Sequence, residues 1–209
     1  MKTKVYAFDF DGTLTTKDTF LEFIRYAKGT TAMLLGFALH APLLVLMKLG
    51  VCSNGKVKQR VFSYFFKGMN IEKFNTLCQR FASDNRAKLL RPRAAETMRQ
   101  ACESGAVVLV VSASIDNWVI PFFHASDKAG TLPHEHSIEV IGTQIEVQDG
   151  IVTGRFSTPN CYGREKVRRM NQRLEQERSE YEITAFGDSR GDREMLNDAD
   201  QGYYKPFRQ

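Results

Sequence analysis

Val5-Tyr6-Ala7-Phe8-Asp9-Phe10-Asp11-Gly12-Thr13-Leu14 decides the fold, because an apolar run delivers two carboxylates two residues apart where a strand gives way to Gly-Thr. Residues i and i+2 of a strand point the same way. Asp9 and Asp11 therefore converge on one space at a strand's carboxyl end, the edge where open α/β sheets bind ligands. Two like charges held together call for a cation, and oxygen-only ligation suits Mg²⁺, which keeps several waters and takes few protein ligands. Asp-x-Asp-Gly also occurs in calcium loops and plain turns, so the rest of the chain must decide.

It supplies matching parts. Val107-Val108-Leu109-Val110-Val111-Ser112 is a continuous β-branched run ending in a hydroxyl, with Ala113-Ser114 and a helix from Asp116 after it, and reads as a buried parallel strand. Residues 181–186 read as a third strand, ending in Gly187-Asp188-Ser189-Arg190-Gly191-Asp192. Lys166 opens a helix expected to run to about Arg178. Taken singly, each feature has a plainer use: a strand-end Ser as helix cap, a helical Lys on a solvated face, an Asp in turn chemistry.

In this order the four segments resemble the haloacid dehalogenase superfamily of phosphohydrolases. Asp9-x-Asp11-Gly12-Thr13 is similar to its first motif, Ser112 to its second, Lys166 to its third and Gly187-Asp188-Ser189-x-x-Asp192 to its fourth. Residues 141–147, Asp149-Gly150, Thr153-Gly154-Arg155 and Cys161-Tyr162-Gly163-x-x-Lys166-Val167 resemble the subfamily (IB) of phosphoserine phosphatases and phosphatidylglycerophosphatase C. The resemblance implies a Rossmann-like doubly wound parallel α/β sheet with an inserted helical cap. It implies Asp9 as nucleophile, forming an aspartyl-phosphate, and Asp11 as general acid and base. Mg²⁺ would be held by Asp9, the Asp11 carbonyl and Asp188, with Asp192 steadying its waters. Ser112 and Lys166 would hold the phosphate. A dianionic ester repels an anionic nucleophile, so metal and cations around it are a physical requirement as well.

Departures bear on substrate. Where phosphoserine phosphatases have serine after the second aspartate and Gly-Gly after the motif-two serine, this chain has Gly12 and Ala113-Ser114. Asp18, beside Lys17, stands seven residues after Asp11, where such enzymes place a carboxylate. Asp18, Ala113 and Ser114 are thus candidates for substrate binding, with Asp18 equally suited to cap a helix beginning near Thr19.

Nearly a hundred residues separate Asp11 from Ser112, far more than a crossover needs. The reading is a core of residues 1–14 and 91–209 and a four-helix cap of residues 15–90, with a β-hairpin over residues 144–156 turning at Asp149-Gly150. The cap carries twelve Lys and Arg against four Asp and Glu, whereas the rest is slightly acidic. Such a cap attracts an anionic substrate or surface. Without a recognition motif, the basic balance does not point to nucleic acid. Within the cap, residues 29–47 hold no Lys, Arg, Asp or Glu. A single membrane span would put Asp9 and Ser112 on opposite sides of the bilayer. The stretch is therefore either buried cap core or an interfacial element contacting an anionic membrane.

Cys52, Cys78, Cys102 and Cys161 lack zinc spacing and read as reduced thiols. His40, His124, His134 and His136 read as surface or packing residues. With too few apolar residues before Asp9 for a secretory signal, the chain reads as cytoplasmic, with peripheral contact at the inner membrane face as the extension of the interfacial reading. Three function classes follow: a phosphomonoester hydrolase acting on a small or lipid-linked phosphate, a phosphomutase or phosphotransferase using the same aspartate, or a non-catalytic phosphate-binding interaction protein. The complete constellation favours the first, and Asp11 argues against a dehalogenase, which has no use for it.

Overall fold

The computed structural model describes residues 2–124 and 138–208. His134, His136 and the side chain of His124 lie outside them. Strand β1 (Thr3–Phe8) is flanked by β2 (Val107–Ile115) and β6 (Tyr181–Gly187), with β3 (Ile138–Thr143) beyond β2 and β7 (Gln201–Tyr204) beyond β6. All neighbouring pairs are parallel, in the order β3-β2-β1-β6-β7. The chain leaves β1 towards β2 and later returns to its other side, so β1 stands at the topological switch point.

The period-two alternation of β1 explains why both faces need cover. Val5 and Ala7 face a cluster with Leu109, Val111, Ile183 and Ala185, completed by Met170 of α9 (Arg164–Arg173) and Met195 of α10 (Arg193–Asp198). Phe8 faces the opposite cluster with Val108, Val110, Phe186 and Met98 of α6 (Pro92–Glu103). Strand β2 runs past Ser112 to Ile115, with a register break between Val111 and Ile115. It is followed by the short helices α7 (Asp116–Val119) and α8 (Pro121–His124). Helix α9 stops at Arg173, short of the predicted Arg178, because Leu174 turns extended (φ −85°, ψ 119°).

Residues 15–90 hold five helical segments rather than the predicted four: α1 (Thr19–Lys28), α2 (Thr30–Leu39), α3 (Ala41–Lys48), α4 (Asn54–Phe66) and α5 (Ile71–Leu89). Gly29, at φ 82°, ends α1, and Pro42 in the first turn of α3 cannot donate back into α2. The uncharged stretch is thereby split into two helices bent by 62°. The inserted helices share one apolar cluster with the sheet. Phe23 stacks on Trp118 at 4.8 Å and meets Phe81 and Phe74 edge-on. Ring pairs at these separations add to the area they bury.

The predicted hairpin forms from β4 (Ile145–Gln148) and β5 (Ile151–Phe156), turning on Asp149 (φ 50°) and Gly150 (φ 74°), the positive φ pair of a type I′ turn. It grips the insertion: Gly68 N donates to Val152 O at 2.9 Å, Val152 N to Met69 O at 2.8 Å and Phe156 N to Gln59 Oε1 at 2.9 Å. Gly154 sits at the closest approach, with φ 84°, and a Cβ there would lie 2.5 Å from Ser63 Oγ. Left-handed backbone alone costs a residue with a side chain roughly 1–2 kcal/mol. Gly154→Ala is expected to destabilise the fold by about 1–3 kcal/mol, measured by urea denaturation. An unchanged midpoint would show that the hairpin grip is slack.

Candidate active site

Asp9 leaves β1 with its N–H on Phe186 O at 2.9 Å and its carboxylate buried. Its Oδ1 accepts from Lys166 Nζ at 2.6 Å and its Oδ2 from Thr13 Oγ1 at 3.2 Å. Lys166, at the start of α9, is fully buried and also donates to Asp192 Oδ1 and to Val111 O, both at 2.6 Å. An ammonium has three protons, and all three are engaged. Burial opposes the charge on Lys166, but Asp9 and Asp192 outweigh it and hold its pKa above the ordinary value. Burial pushes the Asp9 carboxyl up to about 7, against the pull of Lys166.

The loop after β6 is fixed by Asp192. Its Oδ2 accepts from the N–H groups of Asp188 and Ser189 and from Ser189 Oγ, at 3.1, 2.9 and 2.8 Å. With both oxygens committed, Asp192 sets the position of Asp188. Carboxylate oxygens of Asp9, Asp188 and Asp192 lie within 4.8 Å of one another. Oxygen-only donors and a surplus of negative charge fit a hard divalent cation such as Mg²⁺. Burial raises Asp188 despite the neighbouring Arg208, whose guanidinium donates to Asp188 Oδ2. Gly12, at φ 79°, lets the backbone pass where a Cβ would lie 2.4 Å from Asp188 Oδ2.

The carboxylate of Asp11 is engaged elsewhere. Its Oδ1 accepts from Thr19 N at 2.7 Å and Thr19 Oγ1 at 2.6 Å, and its Oδ2 from Ser114 Oγ. Strand β2 thus reaches Asp11 through Ser114. Ser112 is fully buried beneath, its Oγ accepting from Ser114 N at 3.0 Å. Ala113 lines the cavity and turns its carbonyl to Lys58 Nζ (2.9 Å) and Thr143 Oγ1 (2.8 Å). Asp18 does cap α1, its Oδ1 accepting from Phe20 N and Leu21 N at 2.9 and 3.3 Å. It also lines the cavity, where burial and then Asp11 raise its pKa.

These groups surround a cavity of about 710 Å³. Asp9, Asp11, Lys166, Asp188 and Asp192 form its polar floor, and Phe37, Leu44, Met47, Val57 and Val61 of the inserted helices its apolar wall.

The sequence model of the haloacid dehalogenase-like hydrolases matches residues 6–197. Protein CicA of Caulobacter vibrioides is 34% identical over 204 residues, covering 97% of this chain and 86% of that protein. The chain belongs to the haloacid dehalogenase-like hydrolases. Among solved structures, a protein of unknown function from Bordetella pertussis Tohama I superposes with a TM-score of 0.76 at 20% identity, covering 94% of this chain and 87% of that one. A phospho-aspartyl intermediate analogue of phosphoserine phosphatase gives 0.57 at 21% identity, covering 98% and 86%. At such identities the two structures establish the shared fold.

The fold therefore gathers Asp9, Asp11, Asp18, Ala113, Lys166, Asp188 and Asp192 around one cavity, whereas Ser112 and Ser114 are buried and do not line it. Two cations at that cavity were not anticipated. Lys58 crosses from α4 to the Ala113 carbonyl and lies 5.1 Å above the Phe20 ring, its pKa lowered by burial. A signal existed: Lys58 is flanked by the inward Val57 and Val61, which puts it on the inner edge of an amphipathic helix. Arg208 carries no local signal and arrives only because β7 returns the chain to the sheet.

The raised pKa of Asp9 has a signed consequence. A carboxyl raised by folding contributes stability that is fully present below the ordinary 3.8 and is lost as pH rises through about 7. In chelator, the stability of the wild type relative to Asp9→Asn should fall across that window, measured by urea denaturation at several pH values. A difference flat with pH contradicts the burial assigned to Asp9.

A metal ion held by Asp188 would compete with Arg208 for its carboxylate. The Arg208 side chain is 42% exposed, against 10% for Asp188, so the pair is worth little. Arg208→Ala should tighten Mg²⁺ binding by about two- to five-fold in calorimetric titration, the scale of a partly exposed ion pair. Unchanged or weaker binding would show that the two do not compete.

Proposed function

We propose that this chain is a Mg²⁺-dependent phosphomonoester hydrolase that works through an aspartyl-phosphate on Asp9. The observation that carries the reading is the buried Asp9 carboxylate at the end of β1, held by Lys166 at 2.6 Å beside Asp188 and Asp192. The family and the fold support it, since a solved relative of the same fold is a phospho-aspartyl intermediate analogue of a phosphoserine phosphatase.

Asp9 attacks phosphorus as the ester P–O bond breaks, and Asp11 gives its proton to the leaving oxygen. Asp11 then takes a proton from the water that attacks the Asp9-bound phosphorus, releasing phosphate and restoring both carboxyls. Thr19 and Ser114 keep Asp11 placed for both transfers. Asp9, Asp188 and the Asp11 carbonyl would hold Mg²⁺, with Asp192 steadying bound waters; when bound, the ion neutralises charge on nucleophile and phosphate. Ser112, Lys166 and the Ala113 N–H are the phosphate-holding set, the Ser114 N–H being spent on Ser112 Oγ. Because Lys166 already uses its three protons, it neutralises charge first and contacts phosphate only by exchanging one partner.

The substrate is a phosphorylated small molecule or a phospholipid head group. Asp18 spends one oxygen on capping α1, which leaves it poorly placed to recognise a serine ammonium. The wall of Phe37, Leu44 and Met47 favours an ester with an apolar portion.

Asp9→Asn should reduce Mg²⁺-dependent hydrolysis of p-nitrophenyl phosphate to the background rate, a loss on the order of 10³-fold or more, with the circular dichroism unchanged. Beryllofluoride with Mg²⁺ should bind at Asp9 in a crystal structure. Substantial activity in folded Asp9→Asn, or beryllium elsewhere, would overturn the covalent reading.

A further inference from the structure

Helix α2 carries no charged residue on any face, and a helix apolar all round belongs in a core or in lipid. Here one side is packed and the other is not. On the packed side, a Cβ at Gly36 would lie 2.2 Å from the Phe65 ring, and the Phe37 and Phe65 rings are 6.5 Å apart. On the open side, Leu34, Leu35 and Leu39 are 60%, 65% and 66% exposed. Spaced i, i+1, i+5, they share one helix face with the exposed Ala38.

Helix α3 and the turn after it continue the surface. Leu44 and Met47 turn to the cavity, while Val45 and Leu46 are exposed and Leu49 and Val51 are 71% and 70% exposed. Seven large apolar side chains within residues 34–51 thus face outward. Scattered exposed leucines need no explanation, but a contiguous group does.

The surrounding charge selects the occupant. Half-buried Lys28, over the Phe66 ring, precedes α2, exposed Lys48 ends α3 and exposed Lys56 lies in the first turn of α4, with Arg25, Arg60 and Lys67 also exposed on or next to the inserted helices. The insertion holds eight more basic than acidic residues. A second copy on this face would bring like charge against like, whereas an anionic lipid surface is complementary. No single described helix is long and apolar enough to cross a membrane, and the 62° bend between α2 and α3 suits a pair lying in the interface.

We propose that the outer face of α2 and α3 docks into the headgroup boundary of an anionic lipid leaflet. Because the inner face of the same pair lines the Asp9 cavity, docking brings the cavity to the lipid surface; in that respect the inference rests on the phosphatase reading.

The test uses the full chain and vesicles of phosphatidylcholine alone or mixed with phosphatidylglycerol. Wild type should co-sediment with the mixed vesicles at low salt, roughly five-fold less at high salt, and at least about ten-fold less with phosphatidylcholine alone. A variant combining Leu34→Asn, Leu35→Asn, Leu39→Asn and Leu49→Asn should lose at least about ten-fold in binding. These side chains are exposed and outside the cavity, so the variant should keep wild-type p-nitrophenyl phosphate hydrolysis. Three results overturn the proposal: no wild-type binding to mixed vesicles, equal binding by the variant, or a wild-type dimer in light scattering that the variant dissolves, which would assign the face to a second copy. Absent phosphatase activity with intact vesicle binding would overturn the functional reading and leave the docking surface standing.

Discussion

The catalytic edge depends on one buried ammonium. Lys166 Nζ joins the end of β1 through Asp9, the end of β2 through Val111 and the loop after β6 through Asp192, so three strands and α9 are placed by one charge. Removing one partner of such a buried pair typically costs about 3–5 kcal/mol, because the remaining charge is left without water or counter-ion. The four carboxylates of the floor, Asp9, Asp11, Asp188 and Asp192, nonetheless outnumber Lys166 and the outlying Arg208. Burial is what raises Asp9 and Asp188, against the pull of Lys166 and Arg208 respectively, with the neighbouring carboxylates adding to it. In the proposed reaction a phosphate ester would add more negative charge, so the same geometry that makes Asp9 a poor anion in isolation is the reason a divalent cation is proposed there.

What the sequence disclosed was the part written in short range. Strand β1 and its Asp-x-Asp end, β2 up to Ser112, the Asp149-Gly150 turn and the Asp18 cap are local patterns, and each appears in place. Errors arose where tertiary contacts override local signal. Helix α9 ends early because Leu174 turns extended, and β2 runs on past Ser112 through its register break. Arg208 lies 20 residues from Asp188, and no periodicity predicts that pairing. Lys58 was not anticipated at the cavity because composition cannot say which flank of an amphipathic helix meets one.

The uncharged residues 29–47 show a different limit. Absence of charge states that water is a poor solvent for every face of α2, but not which solvent replaces it on each. Packing answers for one side: Gly36 lets α2 close on Phe65, and Phe37 reaches the cavity. That close contact also fixes the other side outward, since a helix in contact along Gly36 and Phe37 cannot rotate Leu34, Leu35 and Leu39 into the same core. The exposure is thus a consequence of how tightly the inner face packs.

The insertion also couples selection to chemistry. Helix α4 places Phe62 and Phe66 in the core shared with the sheet and Lys58 on the Ala113 carbonyl, while Gln59 holds the β4–β5 hairpin. One helix therefore sets the cation above the phosphate-holding edge, the apolar wall at Val57 and Val61 and the grip that locates both. A sheet edge by itself could bind any phosphate with a divalent ion. Under the proposed phosphatase reading, discrimination among esters would come from what overhangs the edge, and an overhang apolar on the inside and basic around its rim is the feature that supports an ester with an apolar portion.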